Sequence, residues 1–218
     1  RFFFFFPVLD WPVSLGKPIP STLAGQLVWW KSGPDWVLAA RDLNWQGAGL
    51  NIMLDSQIQF YHSKNAPMLN LAARIAPFDF KTAKRFWLRN SMPDSSIRWL
   101  DMALVKGQIR DASIVMAGDL GRWPFTDKAG RFSARATILA EQFKFATDWP
   151  EAQNAKLFTD FNGPGFTAIG TASFLGNPIE LKTSGIESFA KSDLTVNVHS
   201  SSKMQTLLPV LKNTPLKN

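Results

Sequence analysis

Apolar and polar residues alternate with a period of two in short runs along most of the chain. In Arg131-Phe132-Ser133-Ala134-Arg135-Ala136-Thr137-Ile138, one side takes Phe132, Ala134, Ala136 and Ile138, and the other takes Arg131, Ser133, Arg135 and Thr137. Successive side chains of a strand point to opposite faces, so such a run buries one face and wets the other. Phe143 and Phe145 alternate with Gln142 and Lys144, and Leu194, Val196 and Val198 with Thr195, Asn197 and His199. Further strands are expected at Trp36–Leu43, Leu50–Phe60, Leu69–Ile75, Gln108–Ala117, Phe166–Leu175 and Ile179–Thr183. Turn residues separate them at Gly33-Pro34, Gly163-Pro164-Gly165 and Gly176-Asn177-Pro178.

One region departs from this period. Phe80–Asn90 and Pro93–Val105 read as two short helices joined at Met92-Pro93, with Asp94-Ser95-Ser96 at a helix start and Gly107 as the stop. Ile97, Leu100, Ala103 and Leu104 recur at the three- and four-residue spacing of a helix face. A second helical piece is expected at Lys203–Lys212. The result is a mainly β chain with a short helical insert near 80–105.

Short motifs recur in the same order. Asp10-Trp11-Pro12 returns as Asp148-Trp149-Pro150, and Leu27, Gly33-Pro34 and Trp36 return as Leu157, Gly163-Pro164 and Phe166. Leu88-Arg89-Asn90-Ser91 returns as Leu211-Lys212-Asn213-Thr214. Ordered recurrence points to an internal repeat of the kind that buries one surface along an array. The expected division is 1–78 as the end of one β-repeat, 79–106 as helical insert, 107–200 as the next β-repeat and 201–218 as the start of another insert. With Arg1 at its head, 1–218 reads as a fragment or processed product of a larger repeat protein.

The run Phe2–Phe6 raises the question of a membrane span. It meets Pro7 and then Asp10, far short of the roughly 20 apolar residues a spanning helix needs. It precedes Asp10-Trp11-Pro12 as Phe143-Lys144-Phe145 precedes Asp148-Trp149-Pro150, so it reads as a strand.

The chemistry expected of an enzyme is missing from the motifs. The two histidines, His62 and His199, are distant, and no zinc-protease, P-loop, dinucleotide or nucleophile-elbow pattern occurs. Asp94, Asp101, Asp111 and Asp119 follow no acid–base spacing. The absence of cysteine removes disulfides and thiolate metal sites. No catalytic residue, metal or cofactor is therefore expected. A net charge of +7 favours anionic partners, but the basic residues are scattered. With no RNA-binding or zinc-finger signature, nucleic acid is not an expected partner and remains only a low alternative.

The stretch "MPDSSIRWLDMALVKGQIRDASIVMAGDLGRWPFTDKAGRFSARATI", Met92 to Ile138, resembles the AsmA-like superfamily, YhdP type. The matching positions include Met92-Pro93, Trp99-Leu100-Asp101, Gly107, Gly118, Trp123-Pro124-Phe125, Asp127, Gly130 and Phe132. "EQFKFATDWPEAQNAKLFTDF", "ASFLGNPI", "LLPVLKNTPL" and "IPSTLAGQLVWW" extend the likeness over nearly the whole chain.

The resemblance implies an elongated, strongly curved antiparallel β-sheet forming a groove. It also implies the periplasmic part of an inner-membrane-anchored protein that carries phospholipid toward the outer membrane and supports outer-membrane integrity. The partners implied are phospholipid and, through other parts of the protein, the inner and outer membranes. Alternation fits such a conduit, because burying an acyl chain is worth about 0.8 kcal/mol per CH₂ and needs no reactive group. Phe132, Ala134, Ala136, Ile138, Phe143 and Phe145 are the first candidates to line the groove, on the expectation that two successive strands offer one apolar face. Leu194, Val196 and Val198 follow. The same alternation would also arise from a sealed core. Another reading is a noncatalytic envelope scaffold or outer-membrane assembly module that pairs its sheet edge with a protein strand, since the related TamB proteins are linked to outer-membrane protein assembly.

Overall fold

The structure is a computed structural model that describes residues 2–10, 20–63, 66–87, 94–123, 125, 127–162, 165–186 and 194–201. The strands are β1 (Phe2–Asp10), β2 (Pro20–Ser32), β3 (Asp35–Gly47), β4 (Leu50–Phe60), β5 (Met68–Ile75), β6 (Phe78–Asp79), β7 (Leu104–Asp119), β8 (Gly130–Phe143), β9 (Ala152–Asn162), β10 (Gly165–Phe174), β11 (Asn177–Ile186), β12 (Leu194–Thr195) and β13 (Val198–His199). They form one open, curved antiparallel sheet in which β1 to β5 and then β7 to β12 lie side by side in chain order. β13 pairs with β11 and β6 with β7. Phe2–Phe6 are strand, paired with β2 from Phe2–Leu27 to Phe6–Leu23.

Two-residue turns join β2 to β3, β3 to β4 and β10 to β11, as antiparallel hairpins allow. The connection between β5 and β7 carries the helical insert. β5 and β6 pair with successive parts of β7, and between β6 and β7 the chain forms α1 (Phe80–Ala83), a 3₁₀ turn (Lys84–Phe86) and α2 (Asp94–Ala103). Asp79 caps α1, its carboxylate accepting the Thr82 N–H at 2.6 Å. The helices are shorter than the sequence spacing predicts. Leu104 already pairs with Phe143, so α2 stops at Ala103, and Gly107 sits inside β7 rather than ending a helix. Its φ of +152° and the 2.2 Å from a notional Cβ to the Leu139 carbonyl explain the glycine: β7 bulges there against β8. The expected helix at 203–212 lies outside the described residues.

Other bulges carry non-glycine residues with positive φ: Asp42 in β3, Asp111 in β7 and Asn154 in β9. Asp and Asn tolerate this conformation best. At Asp42 the bulged N–H donates to the Asp55 carboxylate at 2.9 Å on the next strand. Each bulge resets the alternation and bends the strand, so the sheet curves without losing its sidedness.

Candidate functional site: the apolar face of the sheet

Residues paired directly across neighbouring strands project from the same face. Leu27, Ala40, Ser56, Leu71, Met116 and Phe132 are successive partners from β2 to β8. Leu43, Leu54, Ala73, Ile114, Ala134, Phe161 and Phe166 form the adjacent row from β3 to β10. The intervening residues face the other way. Asn44, Met53, Arg74, Ser113, Arg135, Asp160 and Thr167 are partners there, with Arg135 donating to Asp160 at 3.1 Å. One face is thus mainly apolar; the other mixes polar residues with exposed Trp30, Met53, Val115, Phe158 and Ile169. Thr159, on the apolar face, is buried, and its hydroxyl donates to the Ala136 carbonyl at 3.0 Å.

The apolar face divides into a covered and an uncovered part. Beneath the insert, Phe80, Ala103 and Leu104 pack with Ala140, Phe143, Ala152, Ala155, Leu157, Ala172, Phe174 and Ile179. Trp99 of α2 lies against this cluster, its centroid 6.4 Å from Phe143 and 6.3 Å from Phe166. Its indole N–H donates to the Phe145 carbonyl at 2.9 Å. Phe86 packs edge-on against Trp45 at 6.0 Å, in a second cluster with Leu23, Leu50, Ile52, Ile75 and Phe78. Away from the insert, Trp29, Trp36 and Phe60 on the same face are 52%, 50% and 47% exposed. Phe125 is buried over Gly118 and Gly130, where added methyl groups would come within 2.8 and 2.5 Å of its ring. Trp123 stands edge-on to both Phe125 and Phe132.

The sequence-selected residues fall into different settings. Phe132, Ala134 and Ala136 are half-buried on the apolar face of β8, whose partner rows run into β7 and β9. Ile138 packs against the cluster under the insert and Phe143 belongs to that cluster. All five residues lie on a single strand rather than two. Phe145 follows the strand end and packs on Trp149 and Phe174 at 5.3 and 5.8 Å. Leu194, Val196 and Val198 do not form one strand: Leu194 pairs with Ile186, Val198 pairs with Leu181, and Val196 lies between. Val196 and Val198 are exposed, whereas the Leu194 side chain lies outside what is described. The longest uncovered apolar rows, on β2 to β5, were not selected, although Leu50–Phe60 carries the same alternation.

The carboxylates sequence reading set aside have local structural tasks. Asp101 accepts the Trp87 indole N–H at 2.8 Å, Asp119 accepts the Gly121 N–H at 2.9 Å, and Asp111 occupies a bulge. His62 and His199 are exposed at a turn and a strand end. Among the described residues no three His, Cys, Asp or Glu side chains gather as a metal site, and no helix is long and apolar enough to cross a membrane. Among the described residues the geometry offers an extended, mainly apolar surface.

The family model described as "YhdP protein" matches residues 7–218. The chain is 24% identical over 157 residues to the intermembrane phospholipid transporter YhdP of Escherichia coli (strain K12), covering 72% of this chain and 12% of that protein. It therefore spans about one eighth of that relative's length. No solved structure matches.

Proposed function

The chain belongs to the YhdP family, and from this premise we propose that it is a noncatalytic segment of a bridge-like phospholipid-transfer protein in the periplasm. In this reading the apolar face shields acyl chains moving between inner and outer membranes and so supports outer-membrane integrity. The observation that carries the proposal is the mainly apolar row from Leu27 on β2 to Phe132 on β8, in which Ser56 is the one polar member. Ten buried methylenes are worth about 8 kcal/mol, and a continuous face lets a tail slide without giving that up at any step. Headgroups stay in water at the rim. Phe132 and Ala134 belong to this path. In the same reading the spans 1–78 and 107–200 are successive repeats, supported by the recurrence of Leu27, Gly33-Pro34 and Trp36 as Leu157, Gly163-Pro164 and Phe166.

The test is native mass spectrometry of the purified protein with lipid extraction. Phospholipid should copurify and be lost in Leu71→Arg with folding retained. Absence of lipid from the folded parent protein would overturn the reading.

A further inference from the structure

Resting on the acyl-chain reading, we propose that the helical insert, anchored by Trp99 and Phe86, closes part of the apolar face to lipid and confines acyl chains to the strip marked by Leu38, Leu54, Ile58, Leu71 and Met116.

The insert already occupies the surface that tails would need. Phe80 and Ala103 are buried within its cluster, and Trp99 bridges Phe143 on β8 and Phe166 on β10. Phe86 does the same for the insert-facing end of β2 to β4 by packing on Trp45. The driving force for a tail is apolar area removed from water. Under the insert that area is already removed, so a tail entering there exchanges one apolar contact for another and must also break the Trp99–Phe145 and Trp87–Asp101 hydrogen bonds. On the other side less has been removed: Trp29, Trp36 and Phe60 remain about half exposed, Leu38, Leu54, Ile58, Leu71 and Met116 are only half-buried, and the rows between them and the insert lie outside both clusters. The two regions share one face but differ in what a lipid gains. Trp99 and Phe86 are therefore positioning residues, setting where the path runs and how many tails fit abreast.

Labelling by a phospholipid with a photoreactive tail separates the alternatives. The intact protein is incubated with phosphatidylglycerol vesicles containing diazirine-tailed phosphatidylglycerol, irradiated, and its adducts are mapped by peptide mass spectrometry. Adducts are expected at Leu38, Ile58 and Leu71 and absent from Ile138, Ala155 and Leu157. Trp99→Ala and, separately, Phe86→Ala should extend labelling into the covered part, with folding checked by circular dichroism. Adducts at Ile138 and Leu157 in the parent protein overturn the inference and leave the acyl-chain reading standing. Two folded variants that keep the parent pattern also overturn it. Adducts at none of these positions remove the acyl-chain reading itself, and this inference with it.

Discussion

The Trp99 indole touches Phe166 at 6.3 Å while also touching Phe143 at 6.4 Å. Through Phe161, Phe166 is in register with Ala134, toward the opposite end of β8 from Phe143. A straight strand would hold those ends on the order of 30 Å apart, at about 3.3 Å per residue. One side chain reaches both rings because the sheet curls toward its apolar face. Curvature here is a matter of contacts between residues that a flat sheet would separate.

Removing that contact should loosen the whole end of the sheet. Trp99→Ala is expected to cost about 3 kcal/mol, as large aromatic truncations in packed sites do. Trp99→Phe keeps an aromatic ring but loses the hydrogen bond to Phe145 and part of the packed surface, so it should cost less, about 1–2 kcal/mol. Urea midpoints at constant slope measure both.

Gly130→Ala tests the cap at the end of the sheet away from the insert. The new methyl would lie 2.5 Å from the Phe125 ring, so Phe125 must leave its seat over Gly118 and Gly130. A loss of about 1–3 kcal/mol is expected, with Trp123 fluorescence shifting as its edge-on partner moves. An unchanged stability and spectrum would count against this packing.

Most strands were legible because one buried face imposes period two on sequence, and Leu50–Phe60 matches β4 at both ends. Sidedness was legible for the same reason. What alternation does not carry is whether the chain remains in the strand or what covers a face. Phe145 keeps the phase of Phe143 yet lies past the end of β8, where the chain bends beneath Trp99. Leu194, Val196 and Val198 keep phase with one another yet split between two short pairings. Ile138 and Ala134 are equivalent in sequence, but only Ile138 packs against the cluster under the insert. That difference comes from a helical segment packing back onto the sheet, a long-range contact no local pattern encodes. The bulges at Asp42, Asp111 and Asn154 were equally hidden, because Asp and Asn there read as ordinary polar positions.

The entry to the insert should weaken in acid. Hydrogen bonds from the Thr82 side chain and backbone N–H hold the Asp79 carboxyl below its ordinary value of 3.8. A lowered folded-state pKa means the cap contributes fully above that value and is lost as pH falls below it. Asp79→Ala should cost at most about 1 kcal/mol near neutrality, since the group is exposed. The gap between parent and variant should narrow as pH falls below 3.8. Urea midpoints of the two proteins across pH check the sign, and a gap that widens in acid would refute it.

The most direct test of an acyl-chain path is its two-sidedness along a single strand. Benzoylphenylalanine placed singly at Leu54, Asp55, Ser56, Gln57, Ile58 and Gln59 of β4 samples both faces in turn. Irradiation should crosslink phospholipid from positions 54, 56 and 58 and not from 55, 57 and 59. Equal crosslinking from both sets, or none from either in folded protein, would contradict the account.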